Sequence, residues 1–276
     1  MIIIADSGST KTEWAVMDGD ETRVFVSGGI NPVFAKSDDI RQTLRESLPV
    51  AGKDIADIFF YGAGCMAGTA EKMAGILSSV FINAGVTVEN DLTGAARSLF
   101  RNSGGIACIL GTGTATGVYD GESITDFIPS MGYILGDEGS GTALGKQLLA
   151  GIFKRQFSEK ITGEFFREFR LSYPELIQKT YREPMPNRYI AGFTPFIARN
   201  INEPEIGEMV VECFDLFIKR NLLPYSEIRE VPVAFTGSIA FHFREQLEKS
   251  LAKYLLKAAA ITEKPLAGLI EYHTKE

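Results

Sequence analysis

The chain is poor in the residues that most often build metal and disulfide sites. Among 276 residues it has three cysteines, Cys65, Cys108 and Cys213, and two histidines, His242 and His273. The cysteines are odd in number, far apart and form no CxxC pair, which argues against a disulfide framework and against a zinc site. The two isolated histidines read as packed or surface residues rather than a ligand set. No run of Lys or Arg occurs, and the formal net charge is −7. That balance argues against a nucleic-acid partner, because a phosphate backbone selects a basic face. No stretch of about 18 apolar residues appears, so no transmembrane helix and no membrane partner is expected. The start, Met1-Ile2-Ile3-Ile4-Ala5-Asp6, lacks the charged region and cleavage site of a signal peptide. The cytoplasm is therefore the default location. A GxxxxGK[ST] phosphate loop is also missing.

What is present is an ordinary globular composition, 45% hydrophobic and 23% charged, long enough for one large or two medium domains. Ile2–Asp6 is a continuous apolar run, as expected of a central strand. Strands at Thr12–Met17 and Thr22–Ser27 flank the turn Asp18-Gly19-Asp20, a good hairpin signal. A helix is expected from Ser37, read as its N-cap, to Ser47. A strand at Ile55–Tyr61 ends in Gly62-Ala63-Gly64. A helix over Thr69–Ala84, a strand at Thr87–Asn90 and a helix over Thr93–Arg101 complete an α/β pattern with parallel strands.

The pattern then restarts. Ile106–Leu110 is an apolar strand, followed by Gly111-Thr112-Gly113-Thr114, a strand at Ala115–Tyr119, the turn Asp120-Gly121-Glu122 and a strand at Ile124–Ile128. Gly8 and Gly113 stand 105 residues apart, Asp18-Gly19 and Asp120-Gly121 102 apart. A repeat of strand, Gly/Thr loop, strand, Asp-Gly turn and strand points to two similar lobes. The other reading is two unrelated hairpins. Further on, helices are expected over Gly139–Phe157, Ile161–Phe169 and Gly207–Lys219, with Pro184 and Pro186 marking a loop. A strand at Val231–Phe235 runs into Thr236-Gly237-Ser238, and helices follow at Phe243–Lys257 and Pro265–His273.

Several segments carry chemistry. In Asp6-Ser7-Gly8-Ser9-Thr10-Lys11, Gly8 permits positive φ and close backbone approach, and successive N–H groups form an anion nest. Thr10 adds a hydroxyl and Lys11 a charge. Asp6, at a strand end, is placed to hold Mg²⁺ through water. The alternative is a plain glycine turn. Gly111, Thr112 and Gly113 repeat the arrangement, so the two loops together suggest a clamp on a polyphosphate. Asp91, between a strand and a helix, lies where ligands meet parallel sheets. It is either a base for an attacking hydroxyl or a helix N-cap. In Gly136-Asp137-Glu138-Gly139, Asp137 is placed to meet a metal ion or sugar hydroxyls; the alternative is helix capping. Backbone near Gly237 and Ser238 suits a flat ring such as adenine or its ribose; the alternative is an ordinary turn.

In this order the segments resemble the BadF/BadG ATPase family, and within it the N-acetylglucosamine kinases. The resemblance runs along nearly the whole chain. It rests on Asp6-x-Gly8-x-Thr10-Lys11-Thr12-Glu13-Trp14, Gly29-Ile30-Asn31-Pro32, Asp91, Leu110-Gly111-Thr112-Gly113-Thr114, Leu135-Gly136-Asp137-Glu138-Gly139-Ser140-Gly141 and Thr236-Gly237-Ser238. It implies two similar actin-like, ribonuclease H-like α/β lobes with a nucleotide cleft between them. The expected division is 1–105, then 106–264 with a helical insert, with the helix from 265 to 276 returning to the first lobe. It further implies that Thr10 and Thr112 meet the phosphates of ATP, and that Gly237 and Ser238 lie near the adenosine. Asp91 matches the catalytic base, and Asn31, Asp91 and Asp137 match positions that hold the sugar. Thr114, Ser130, Met131 and Gly132 are expected beside that sugar. Asp6 and Asp137 are expected to hold Mg²⁺ through water. The family usually carries Gly-Trp-Gly where this chain has Ser130-Met131-Gly132, and often Ser-Asn where it has Thr114-Ala115. Dimers are common among related kinases, so a homodimer is one expected oligomeric state.

The expected reaction is transfer of a phosphoryl group from Mg·ATP to an amino sugar, N-acetylglucosamine first, giving its 6-phosphate. Two rivals stand beside it. One is an ATPase activator of a dehydratase, which needs a cysteine-held iron–sulfur cluster that three scattered cysteines serve poorly. The other is a non-catalytic sugar sensor. Related repressors carry a helix-turn-helix ahead of the first strand, whereas this sequence starts on the strand.

Overall fold

A computed structural model describes residues 1–8, 10–48, 50 and 54–274. Ser9, in the first glycine loop, lies outside them. The chain divides into two compact units. The first is Met1–Gly105 with Val118–Thr125 and the segment from Lys264 onward; the second is Ile106–Gly117 with Asp126–Glu263.

The first unit runs β1 (Ile2–Ser7), β2 (Lys11–Asp18), β3 (Glu21–Gly28), α1 (Ser37–Ser47), β4 (Asp57–Gly62), α2 (Thr69–Val80), β5 (Gly85–Asn90) and α3 (Asp91–Phe100). The sheet order is β3-β2-β1-β4-β5. β1 pairs antiparallel with β2 and parallel with β4, and β4 pairs parallel with β5. β1 is central and covered on both faces, so its apolar run has no polar alternation. Ile3 and Ala5 face one core with Trp14, Phe60, Leu44 and Leu77. Ile4 faces the other.

The second unit holds β6 (Gly105–Leu110), β7 (Thr114–Tyr119) and β8 (Ile124–Ile128), with the far end of this hairpin grouped in the first unit. It continues with α4 (Gly132–Leu135), α5 (Gly141–Phe153), α6 (Glu159–Phe169), α7 (Tyr173–Tyr181), α8 (Pro186–Ala191), α9 (Thr194–Arg199) and α10 (Pro204–Phe217). A π-helical turn at Ile218–Leu222, β9 (Val233–Thr236), α11 (Ser238–His242), α12 (Arg244–Lys253) and β10 (Ala258–Thr262) complete it. The last helix, α13 (Leu266–Thr274), belongs to the first unit, where Leu266 and Leu269 pack on Ile4, Ala15, Met17 and Tyr61. The second sheet has the order β10-β9-β6-β7-β8, with β6 parallel to β9 and β9 to β10. Read from β8, this is the strand order of the first sheet read from β3. The repeat seen in the sequence is a repeat of topology.

Several local expectations need correction. The helix expected over Phe243–Lys257 stops at Lys253, and Ala258–Thr262, to which the sequence assigns no element, forms a strand. Its three alanines favour a helix intrinsically, but pairing with β9 overrides that preference. The segment marked as a loop by Pro184 and Pro186 contains α8, which Pro186 opens at a position where its missing N–H costs nothing. The cap of α1 is Lys36, with Ser37 already helical. Gly8 does not adopt positive φ; its N–H closes the turn onto the Lys11 carbonyl at 3.0 Å.

Candidate active site

In the first unit the parallel strands β1, β4 and β5 end at one edge, and the side chains expected to do chemistry collect there. Asp6 is next to last in β1. The Ser7 hydroxyl bonds Thr12 Oγ1 at 2.6 Å and bridges the N–H and carbonyl of Ile30 at 3.1 and 3.0 Å. This stitches the Gly29–Asn31 loop to the end of β1 and places Asn31 at the same edge. The Asn31 carboxamide oxygen accepts the Val33 N–H at 3.0 Å.

The cap of the helix that begins at Asp91 falls to the preceding residue. Asn90 caps α3, its Oδ1 accepting the Thr93 N–H at 2.7 Å. Asp91 is the first helical residue, so the cap does not consume its carboxylate. Burial pushes the Asp91 carboxyl up to about 6, against hydrogen bonds from its own and the Leu92 N–H. Asp6 is pushed up to about 7, first by burial, then by the charges of Asp91 and Glu13, with Lys11 opposing. Two carboxylates that repel one another at a strand edge suit a hard divalent cation. Among the described residues no cluster of three or more His, Cys, Asp or Glu forms a protein cage for a metal. Mg²⁺, which keeps its waters and takes one or two carboxylates beside substrate phosphates, is a hard cation of that kind. Asp6 is the carboxylate that would hold it.

In the second unit the loop Gly111–Thr114 is tied to the start of α5. The Gly111 carbonyl accepts the Gly141 N–H at 2.8 Å, and the Thr112 carbonyl accepts the Thr142 hydroxyl at 2.7 Å. Asp137 is buried, and its Oδ1 accepts the Thr114 N–H at 3.1 Å. Burial raises its pKa, while the Thr114 bonds and Lys146 oppose that rise. A Cβ on Gly113 would lie 3.0 Å from the same carboxylate, a tight approach that would press Asp137 out of place by a few tenths of an ångström. Asp137 therefore holds the second loop in shape. Glu138 pairs with Arg220 at 2.7 Å and with Asn221 at 3.2 Å, and the cap of α5 is Ser140. Gly237 has φ +119°, and a Cβ would come within 2.4 Å of the Leu110 carbonyl oxygen. The turn into Ser238 and α11 is thus pressed onto the end of β6. Ser130 accepts the Asp137 N–H through its carbonyl at 2.9 Å, while Met131 and Gly132 both have positive φ. The Met131 side chain is 60% exposed.

Glu13 and Lys264 were given no role from the sequence, yet they belong to this region. Lys264 lies 251 residues from Glu13 in the chain, so only the fold reveals the pair.

Two sheets of one strand order, each with a glycine loop after its first strand, define an actin-like ATPase. No protein-family model and no curated protein sequence matches the chain. Solved structures do. A candidate N-acetylglucosamine kinase from Porphyromonas gingivalis is 40% identical over 99% of this chain and 98% of its own, with a TM-score of 0.95. A candidate N-acetylglucosamine kinase from Chromobacterium violaceum is 18% identical over 98% of each chain, with a TM-score of 0.73. A ROK-family glucokinase from Streptomyces griseus, solved with glucose and AMPPNP, shares the fold at 15% identity, 98% and 97% coverage and a TM-score of 0.54. The chain belongs to the family of N-acetylglucosamine kinase-like proteins, sugar kinases on the actin-like ATPase fold. Among the described residues no helix is long and apolar enough to cross a membrane.

Proposed function

We propose that this chain transfers the γ-phosphoryl group of ATP to the primary hydroxyl of an amino sugar, N-acetylglucosamine in the first place, giving the 6-phosphate. The candidate phosphate contacts are Gly8, Thr10 and Lys11 within the first unit, and Gly111, Thr112 and Gly113 within the second. Gly237 and Ser238 meet the adenosine. Mg²⁺, when bound, would supply charge neutralisation at the phosphates, and Asp6 is the carboxylate that would hold it through water. Asn31, whose carboxamide oxygen serves its own turn, offers its amino group to a sugar hydroxyl. Within the second unit, Met131 offers a sugar a soft apolar contact, with Ser130, Gly132, Thr114 and Asp137 as further candidate contacts.

Asp91 is the base. The sugar oxygen forms its bond to the γ-phosphorus as the bond to the ADP oxygen breaks, and the hydroxyl proton passes to Asp91. A carboxylate raised to about 6 is ionised at neutral pH yet basic enough to accept that proton. The remaining catalysis is positioning and charge stabilisation. The observation that carries this reading is the release of Asp91 from the capping role by Asn90. A dehydratase activator would need a cysteine-held cluster, and Cys65, Cys108 and Cys213 are each buried and widely spaced in the chain.

The test is Asp91→Asn. Turnover should fall by about 10²-fold or more while the affinity for Mg·AMPPNP stays within about twofold, because a general base acts in the chemical step. Near-normal turnover in this variant would remove Asp91 from the role.

A further inference from the structure

Glu13 is a carboxylate where the strand pattern calls for an apolar residue. Side chains alternate along β2, so Glu13 shares a face with Ala15 and Met17. Those two pack under α13. Glu13 itself is 5% exposed. A buried carboxylate persists only when it is paired. Here a single oxygen, Oε1, takes the ammonium groups of Lys11 at 3.0 Å and Lys264 at 2.7 Å. Its register partner across the sheet is Asp6. Lys11 opens β2 directly after the first glycine loop. Lys264 begins the segment by which the chain rejoins the first unit, two residues before α13.

We propose that Glu13 is a positioning residue that presents Lys11 to a polyphosphate and keeps Lys264 as its own remaining partner when the phosphate takes Lys11. This rests on the reading of the first loop as a phosphate site. Two ammonium groups, Lys11 and Lys264, face the two carboxylates of Glu13 and Asp6, and Lys11, whose side chain is 50% exposed, is the one that adjoins the loop. An anion approaching the loop draws on Lys11, and the exchange is inexpensive because Lys264 still neutralises the buried carboxylate. With Lys11 alone, Glu13 would compete with the phosphate for its only counter-charge. The second lysine removes that competition. It also makes phosphate binding sensitive to the seating of the segment that leads into α13.

The experiment is a double-mutant cycle on the full chain, read as Mg·AMPPNP affinity by calorimetry, with melting temperature as the control for folding. Lys11→Ala should weaken binding at least about tenfold in the wild-type background and less than about threefold in Glu13→Gln, because coupled residues are not additive. Glu13→Asp should restore part of the difference. Equal losses in both backgrounds overturn the proposal. Should Glu13→Gln melt below the assay temperature, Lys264→Gln takes its place. It is expected to weaken Mg·AMPPNP about tenfold, a coupling effect of the same size, and an unchanged affinity overturns the proposal equally. A wild-type chain that binds Mg·AMPPNP without any sugar-dependent ADP release defeats the kinase reading and leaves the Glu13 proposal standing. A chain that binds no nucleotide defeats both.

Discussion

Asp137 accepts the Thr114 N–H at 3.1 Å from a left-handed backbone position, φ +56°, that few residues other than Gly, Asn and Asp adopt. The Asp137 carboxylate is thereby a brace for the second glycine loop as well as a candidate sugar ligand. Asp137→Ala leaves the Thr114 N–H without its acceptor, at a cost of about 1–3 kcal/mol. Asp137→Asn keeps an acceptor oxygen. Hydrogen exchange at the Thr114 amide should therefore accelerate in the alanine variant and stay near wild type in the asparagine variant. Equal protection in both would show that the brace is not the Asp137 carboxylate.

Gly237→Ala tests the contact between the β9–α11 turn and β6. Both the φ of +119° and the 2.4 Å approach to the Leu110 carbonyl oppose a side chain. Destabilisation of about 2–4 kcal/mol is expected, from backbone strain and steric overlap together. Chemical denaturation measures it. A loss of nucleotide affinity with unchanged stability would contradict this account.

The pair Asp6 and Asp91 makes the ligand-free chain sensitive to pH. Their folded values, about 7 and about 6, lie above the ordinary 3.8, so between these limits the folded chain holds more protons than the unfolded one. Stability from these groups is present at acid pH and is lost as pH rises through 6 and 7. Asp6→Asn should raise the melting temperature relative to wild type at pH 8 and give little gain at pH 5. The difference at pH 8 is on the order of 2 kcal/mol, given the coupling of the pair. An equal effect at both pH values would mean that the Asp6 carboxyl is not raised by its burial and its carboxylate neighbours.

His273 predicts the opposite sign. Its ring stacks on Phe59 at 3.8 Å, its Nε2 bonds the Tyr61 hydroxyl at 2.9 Å, and Arg97 bonds that same hydroxyl at 3.0 Å. Burial, then the Arg97 charge, pushes the imidazole down to about 4. The neutral ring is what the fold accepts. Its contribution is intact above about 6.5 and is lost as pH falls towards 4. His273→Phe should flatten the acid limb of the stability curve, by roughly 1 kcal/mol after discounting for solvent screening. Unchanged acid sensitivity would place the titrating group elsewhere.

Much of this architecture was legible in the sequence, for identifiable reasons. The repeated strand starts carry β-branched runs and Asp-Gly turns, signals local to a few residues, and they gave the shared topology of the two sheets. β10 was not legible because Ala258-Ala259-Ala260 carries no strand signal of its own, and its pairing with β9 is a tertiary effect. The role of Asp91 stayed open between cap and base because Asn90 and Asp91 are adjacent residues of similar capping strength. The bond from the Thr93 N–H assigns the cap to Asn90, and the role of base is what we propose for Asp91. Glu13 was visible inside the motif, but its meaning depends on Lys264, and no local pattern links residues so far apart.

The measurement that tests the central claim most directly is coupled ADP release with Mg·ATP against a panel of hexoses, amino sugars and N-acetylated sugars. The account predicts strong stimulation by an amino sugar, N-acetylglucosamine foremost, and its loss in Asp91→Asn. Sugar-independent hydrolysis, or none with any sugar, would contradict it.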